Sequence, residues 1–278
     1  MLTRQLILDR LNAERAAGKS LLAAGASAGI IAKCADLSGA DLIVVYSTGR
    51  SRIMGLPTFR LGDSNAVTVE MAPEILNVVS EDTPVIGGIE ATDPTRRNLP
   101  KLLDSFVDAG YTGIINFPTV AMWEDVRRLN EKKGYGFELE CKLIEECRRR
   151  EIFTMAYVFN AEDCKAIIDA GADVIVAHSG PTEGGLVGPS YDESMEHALE
   201  YLEGLFTVAR AARPDILCFG HGGPLVGIEE VQRMYAETSA DGFVGSSSIE
   251  RIPVERAVME TVRSFKSLAP SQGQETGK

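Results

Sequence analysis

Four stretches of this chain repeat one another: SGADLIVVY (38–46), AGYTGIINF (109–117), AGADVIVAH (170–178) and SADGFVGSS (239–247). Each runs from the end of a helical pattern, through a turn, into a short β-branched stretch. Glycine just past a helix supplies a left-handed cap. An apolar stretch without alternation reads as a strand buried on both faces, as a parallel sheet requires. Four further strand candidates fall between the repeats, at 20–26, 84–90, 152–160 and 216–222. Helical periodicity covers roughly 27–37, 66–79, 97–109, 137–149, 161–170, 192–211, 228–237 and 253–267. Strict alternation over eight units predicts a closed α/β structure, a (β/α)8 TIM barrel, and not an open doubly wound sheet. No G-x-G-x-x-G follows the first strand, which removes support for a dinucleotide fold. Residues 3–17 predict an extra N-terminal helix covering the barrel bottom. We expect one barrel domain over 1–269 and a disordered polar tail, PSQGQETGK, over 270–278.

The length of 278 residues suits a one-domain barrel. No apolar run approaches the roughly 20 residues of a membrane span. The amphipathic N-terminus carries acids, unlike a secretory or transit segment. Five cysteines, Cys34, Cys141, Cys147, Cys164 and Cys218, show no C-x-x-C pair and no metal spacing. That pattern points to a reducing cytoplasm. A net charge of −12 argues against nucleic acid or an anionic membrane as partner. It leaves room for a small-molecule anionic substrate, because a local pocket can oppose the global field. No motif calls for an organic cofactor.

In a barrel, residues just past each strand line one mouth. Two of the three histidines, His178 and His221, fall at the ends of adjacent strands 6 and 7, where imidazole suits proton transfer or metal ligation. They could equally do no more than hydrogen-bond loop backbone. His197 sits in a mixed-polarity helix and reads as a surface residue. Gly222 and Gly223 of GHGGP, with Gly245 and Ser246 of GSSSIER, resemble the halves of an anion cradle after strands 7 and 8. Plain turn chemistry and helix capping is the alternative. In YSTGR, Ser47, Thr48 and Arg50 offer a carboxylate clamp, or else Arg50 is a surface residue of a long loop. The following stretch, 51–67, reads as a lid or rim. Asn116 ends strand 4. Glu90 and Asp93 could bind magnesium or act as a base, although Asp93 before Pro94 also starts a turn. The Gly-rich loop 179–190 could close over a ligand, and Trp123 reads as a packing or rim residue. No lysine stands at a strand end, which argues against Schiff-base aldol chemistry, and no G-x-S-x-G elbow occurs.

Several strings, GASAGIIAKCADLSGADLIVVYSTGR, GDSNAVTVEMAPEIL, GYTGIINFPTV, YVFNAEDCKAIIDAGADVIVAH and FGHGGPL, together resemble the phosphoenolpyruvate hydrolase-like family over about residues 3–268. The barrel is also similar to the C-terminal region of a plant tobamovirus-resistance protein. The resemblance implies a relation to the phosphoenolpyruvate/pyruvate barrels. It implies a small α-keto acid substrate, such as phosphonopyruvate or phosphoenolpyruvate, and hydrolase or lyase chemistry through an enolate. It also implies Mg2+ to stabilise that enolate. Those enzymes place paired acids on magnesium after strand 3. Here the matching stretch offers Glu90 and Asp93 with Ala91 and Thr92 between, and the lyases' cysteine-containing loop is not visible. Ser47 matches the serine that contacts carboxylate. Lyase relatives exchange a helix between subunits, which implies a homo-oligomer. The resemblance leaves a rival: a non-catalytic barrel for ligand sensing or protein interaction. A metal-only retro-aldol lyase is a third option.

Overall fold

The computed structural model describes residues 2–190 and 194–270. Eight parallel strands close on themselves in chain order, with the first pairing the last. They are β1 (Leu21–Gly25), β2 (Leu42–Val45), β3 (Val85–Gly88), β4 (Gly113–Ile115), β5 (Phe153–Val158), β6 (Val174–His178), β7 (Leu217–His221) and β8 (Gly242–Gly245). The helices are α1 (Arg4–Ala16), α2 (Gly29–Leu37), α3 (Ser47–Ile53), α4 (Ser64–Leu76), α5 (Leu99–Ala109), α6 (Glu124–Glu131), α7 (Glu138–Arg149), α8 (Ala161–Asp169), α9 (Met195–Ala212), α10 (Ile228–Glu237) and α11 (Ile252–Lys266). The predicted (β/α)8 TIM barrel with an extra N-terminal helix is therefore present. Local signals set the helix ends. Asn98 accepts from Lys101 N at the start of α5, and Gly110 closes the same helix at φ +101°.

Strand parity decides what faces inward. Leu42, Val44, Phe153, Met155, Val174, Val176, Leu217, Phe219 and Val244 pack together inside the barrel. The intervening residues, such as Ile43, Ala156, Ile175 and Cys218, pack under the helices. Helix α1 closes the lower end. Its Ile7 and Leu11 are buried against Leu21, Phe153, Val174 and Leu217 near the strand starts. Each such side chain contributes about 1.5–3 kcal/mol of burial.

Two helices depart from the sequence expectation. YSTGR does not continue as loop: its Ser47 opens α3. Helix α6 follows a 3-10 turn at Val120–Met122 in a stretch that carried no helix prediction. The predicted helix over 192–211 begins at Met195, with 192 and 193 outside the described residues, as are 271–278 of the expected tail. No helix among the described residues is long and apolar enough to cross a membrane.

Candidate active site

Continuing the inward parity one step past the core gives the top layer: Tyr46, Phe117, Tyr157, His178, His221 and Ser246. All six are buried. Above them opens a cavity of about 320 Å3, the lower end of the range for small-molecule sites. It lies at the C-terminal ends of the strands, where barrel enzymes carry their chemistry.

His178 and His221 are register partners across β6 and β7. Their rings sit edge to face, 4.5 Å between centroids, and both line the cavity. Phe159 stacks on His178 at 4.7 Å. Gly180 N donates to His178 Nδ1 at 3.0 Å, so that nitrogen carries no proton and Nε2 does. His221 Nδ1 lies 2.7 Å from the Val244 carbonyl, which only accepts. That ring is therefore protonated on Nδ1 and bare on Nε2. Burial holds both rings neutral: it lowers His221 to about 4 and, with the neighbouring His221, takes His178 well below the usual range. The pair presents one N–H and one lone pair from adjacent strands.

Helix α3 brings a second set. Thr48 and Arg52, one turn apart, both line the cavity. Arg52 is buried, its Nε donating to Glu250 Oε1 at 2.7 Å. Its guanidinium lies 5.5 Å from the Tyr46 ring centre, and Tyr46 Oη hydrogen-bonds Ser246 Oγ. The Thr48 hydroxyl is buried without a hydrogen-bond partner. Glu90 also lines the cavity, and Arg60 Nε lies 3.0 Å from its Oε2. Burial raises the Glu90 carboxyl, a shift the Arg60 charge opposes.

The residues singled out from sequence divide. His178, His221 and Ser246 line the cavity by inward strand parity, Thr48 from α3 and Glu90 from just past β3. Asn116 and Gly245 have the opposite strand parity and do not line it, nor do Ser47 on α3 and Asp93 in the loop after β3. The buried Ser47 hydroxyl has no partner. Asp93 accepts from Thr95 N and Oγ1 at 2.8 and 2.7 Å and from Asn65 Nδ2 at 3.2 Å. Asn116 turns to α7, donating to Glu140 Oε2 at 2.6 Å, and also joins the Tyr157 backbone. Gly222 and Gly223, at φ +84° and +53°, tie the β7 loop to the β6 loop through Gly223 N donating to Gly180 O. Arg50, half a turn from Arg52 on α3, does not line the cavity. His197 is exposed on α9. Arg52, Arg60 and Glu250 were not singled out from sequence. The signal for Arg52 was the i, i+4 spacing from Thr48, usable only once a helix is placed at 47.

The acids do not form a paired magnesium site. Among the described residues Glu90 is the one acid that lines the cavity, and it faces Arg60, while the Asp93 carboxylate is engaged by its own loop. Among the described residues, no group of three His, Cys, Asp or Glu side chains is placed to hold a metal.

The barrel is similar to phosphoenolpyruvate phosphomutase from Streptomyces platensis subsp. rosaceus, at TM-score 0.62 and 15% identity, covering 95% of this chain and 92% of that one. It is also similar to phosphonopyruvate hydrolase solved with oxalate and Mg2+, at TM-score 0.58 and 16% identity, covering 96% and 86%. At that identity the likeness shows a shared fold. Among sequence relatives, the ToMV resistance protein Tm-1(GCR237) of Solanum lycopersicum is 37% identical over 272 residues, 96% of this chain. The ToMV susceptible protein tm-1(GCR26) of the same plant matches equally, so the likeness does not follow resistance. This chain spans 36% of the length of these relatives. The model of the phosphoenolpyruvate hydrolase-like proteins matches residues 6–268, nearly the whole barrel, and the chain belongs to that family.

Proposed function

We propose that the cavity binds a small anionic 2-oxo acid and that the chain acts on it as a hydrolase or lyase through an enolate. The observation that carries this reading is the complementary protonation of His178 and His221 beside Arg52 in one cavity. Arg52 and Thr48 hold the carboxylate. The His178 Nε2–H donates to the keto oxygen and stabilises the charge that develops there, as a neutral imidazole in a dry site can. The bare His221 Nε2 takes a proton, from an attacking water in hydrolysis or from a substrate hydroxyl in lyase chemistry. The electron pair of the cleaved bond enters the enolate, which regains a proton at carbon. No step is routed through magnesium, because Glu90 meets a cation where a second acid would be needed.

Family membership and the oxalate held by the similar hydrolase barrel support this chemistry. The test is turnover of phosphonopyruvate, phosphoenolpyruvate and related 2-oxo acids by the intact protein, with and without Mg2+. His221→Gln is expected to lower kcat by about 10²–10⁴-fold, and Arg52→Lys to raise KM. Calorimetric binding without turnover favours the sensing or interaction barrel instead. No binding of any such acid defeats the reading.

We also propose self-association through α11, and a cytoplasmic setting in keeping with five free cysteines. Of the α11 residues only Ile252 is buried, and Val258, Val262 and Phe265 are 55%, 54% and 70% exposed. An apolar groove lined by Leu22, Val231, Phe243 and Ile249 lies open beside α10. In this reading the α11 stripe of a second copy would cover that groove.

A further inference from the structure

Resting on the 2-oxo acid reading, we infer that the substrate carries an apolar substituent at its far end, and not a second anionic group. In an eight-strand ring β8 and β4 stand opposite one another. Arg52, Thr48, His178, His221 and Ser246 line the β6–β8–β2 side of the cavity. The β4 side is a wall of Phe117, Pro118, Val120, Met122, Trp123 and Val126. Its polar lining is neutral: Asn130, and Thr119, whose hydroxyl donates to Glu140. The cations of α6 turn elsewhere, Arg127 to Asp163 and Glu131, and Arg128 to Asp125. Arg60, on the rim, is half-exposed and faces Glu90. A phosphonate placed against the β4 wall would meet no cation among the described residues of that wall and would lose its water. An alkyl or aryl group there would cover Trp123 and Val126, which are 58% and 50% exposed. The cavity thus reads the carboxylate and keto group at one end and apolar shape at the other.

Isothermal titration of the intact protein with pyruvate, phosphonopyruvate, 4-methyl-2-oxopentanoate and phenylpyruvate tests this. The two apolar acids are expected to bind at least about tenfold tighter than pyruvate or phosphonopyruvate. Val126→Lys, at a half-exposed helix position that accepts charge, is expected to reverse the ranking by weakening the apolar acids and tightening phosphonopyruvate. Phosphonopyruvate binding tightest to the unmodified protein overturns the inference and leaves the 2-oxo acid reading intact. A ranking unmoved by Val126→Lys overturns the assignment of the β4 wall. Binding of none of the four defeats the underlying reading itself.

Discussion

The imidazole of His221 is fixed by what surrounds it: a carbonyl claims its proton on Nδ1, and burial keeps the ring neutral down to about pH 4. An unfolded histidine titrates near ~6.5. Between those values the unfolded chain binds a proton that the native ring refuses. Stability from this group is therefore complete above about 6.5 and is lost as pH falls toward 4, by an amount on the order of 3 kcal/mol. His178 acts in the same direction. Glu140, raised to about 8 by burial, acts oppositely, favouring the folded state less as pH rises from ~4.5 to 8. The His221 contribution is isolated by comparison. In urea denaturation, the unmodified protein should lose more stability than His221→Gln between pH 7 and pH 4.5, and parallel losses would refute the assignment. The strand ends that bear the site were legible in the sequence. Which of two neighbouring residues faces inward was not, because both faces of a barrel strand are apolar and parity leaves no mark. Ser246 and Gly245, or Asn116 and Phe117, are told apart only by register.

At the scale of elements, the site depends on loops held close together. Gly222 lies at φ +84°, and a Cβ there would stand 2.0 Å from Gly180 O and 3.2 Å from His178 Cε1. Gly39 has nearly the same backbone, φ +87°, with nothing within 4 Å of the added atom. Gly39→Ala should cost about 1 kcal/mol for the left-handed backbone alone. Gly222→Ala should cost clearly more and also disturb the Gly180–His178 hydrogen bond. Chemical denaturation of the two variants checks the difference, and equal losses would show that the β6 and β7 loops separate without penalty. The sequence pointed to Arg50 after β2, whereas Arg52 is the arginine of that helix that lines the cavity. Reading 46–50 as loop made Arg50 the natural choice, whereas the helical turn from Ser47 sends Thr48 and Arg52 inward. A seven-residue helix of STGRSRI, with one apolar side chain, has no apolar periodicity to announce it.

For the whole molecule, the alternation of strand and helix was the most legible property, since closing a parallel sheet imposes it on every repeat. Helix α11, which follows the last strand, buries only Ile252, although most helices between the strands cover the sheet. Sedimentation at micromolar concentration should therefore show an oligomer. Val258→Glu with Val262→Glu should shift it toward monomer without loss of the barrel's circular dichroism. A monomer in the unmodified protein would leave α11 with another partner. The floor formed by Ile7 and Leu11 has a different consequence. With its underside plugged, the barrel opens among the described residues only at the cavity end, so any molecule held there would enter and leave by the same threshold.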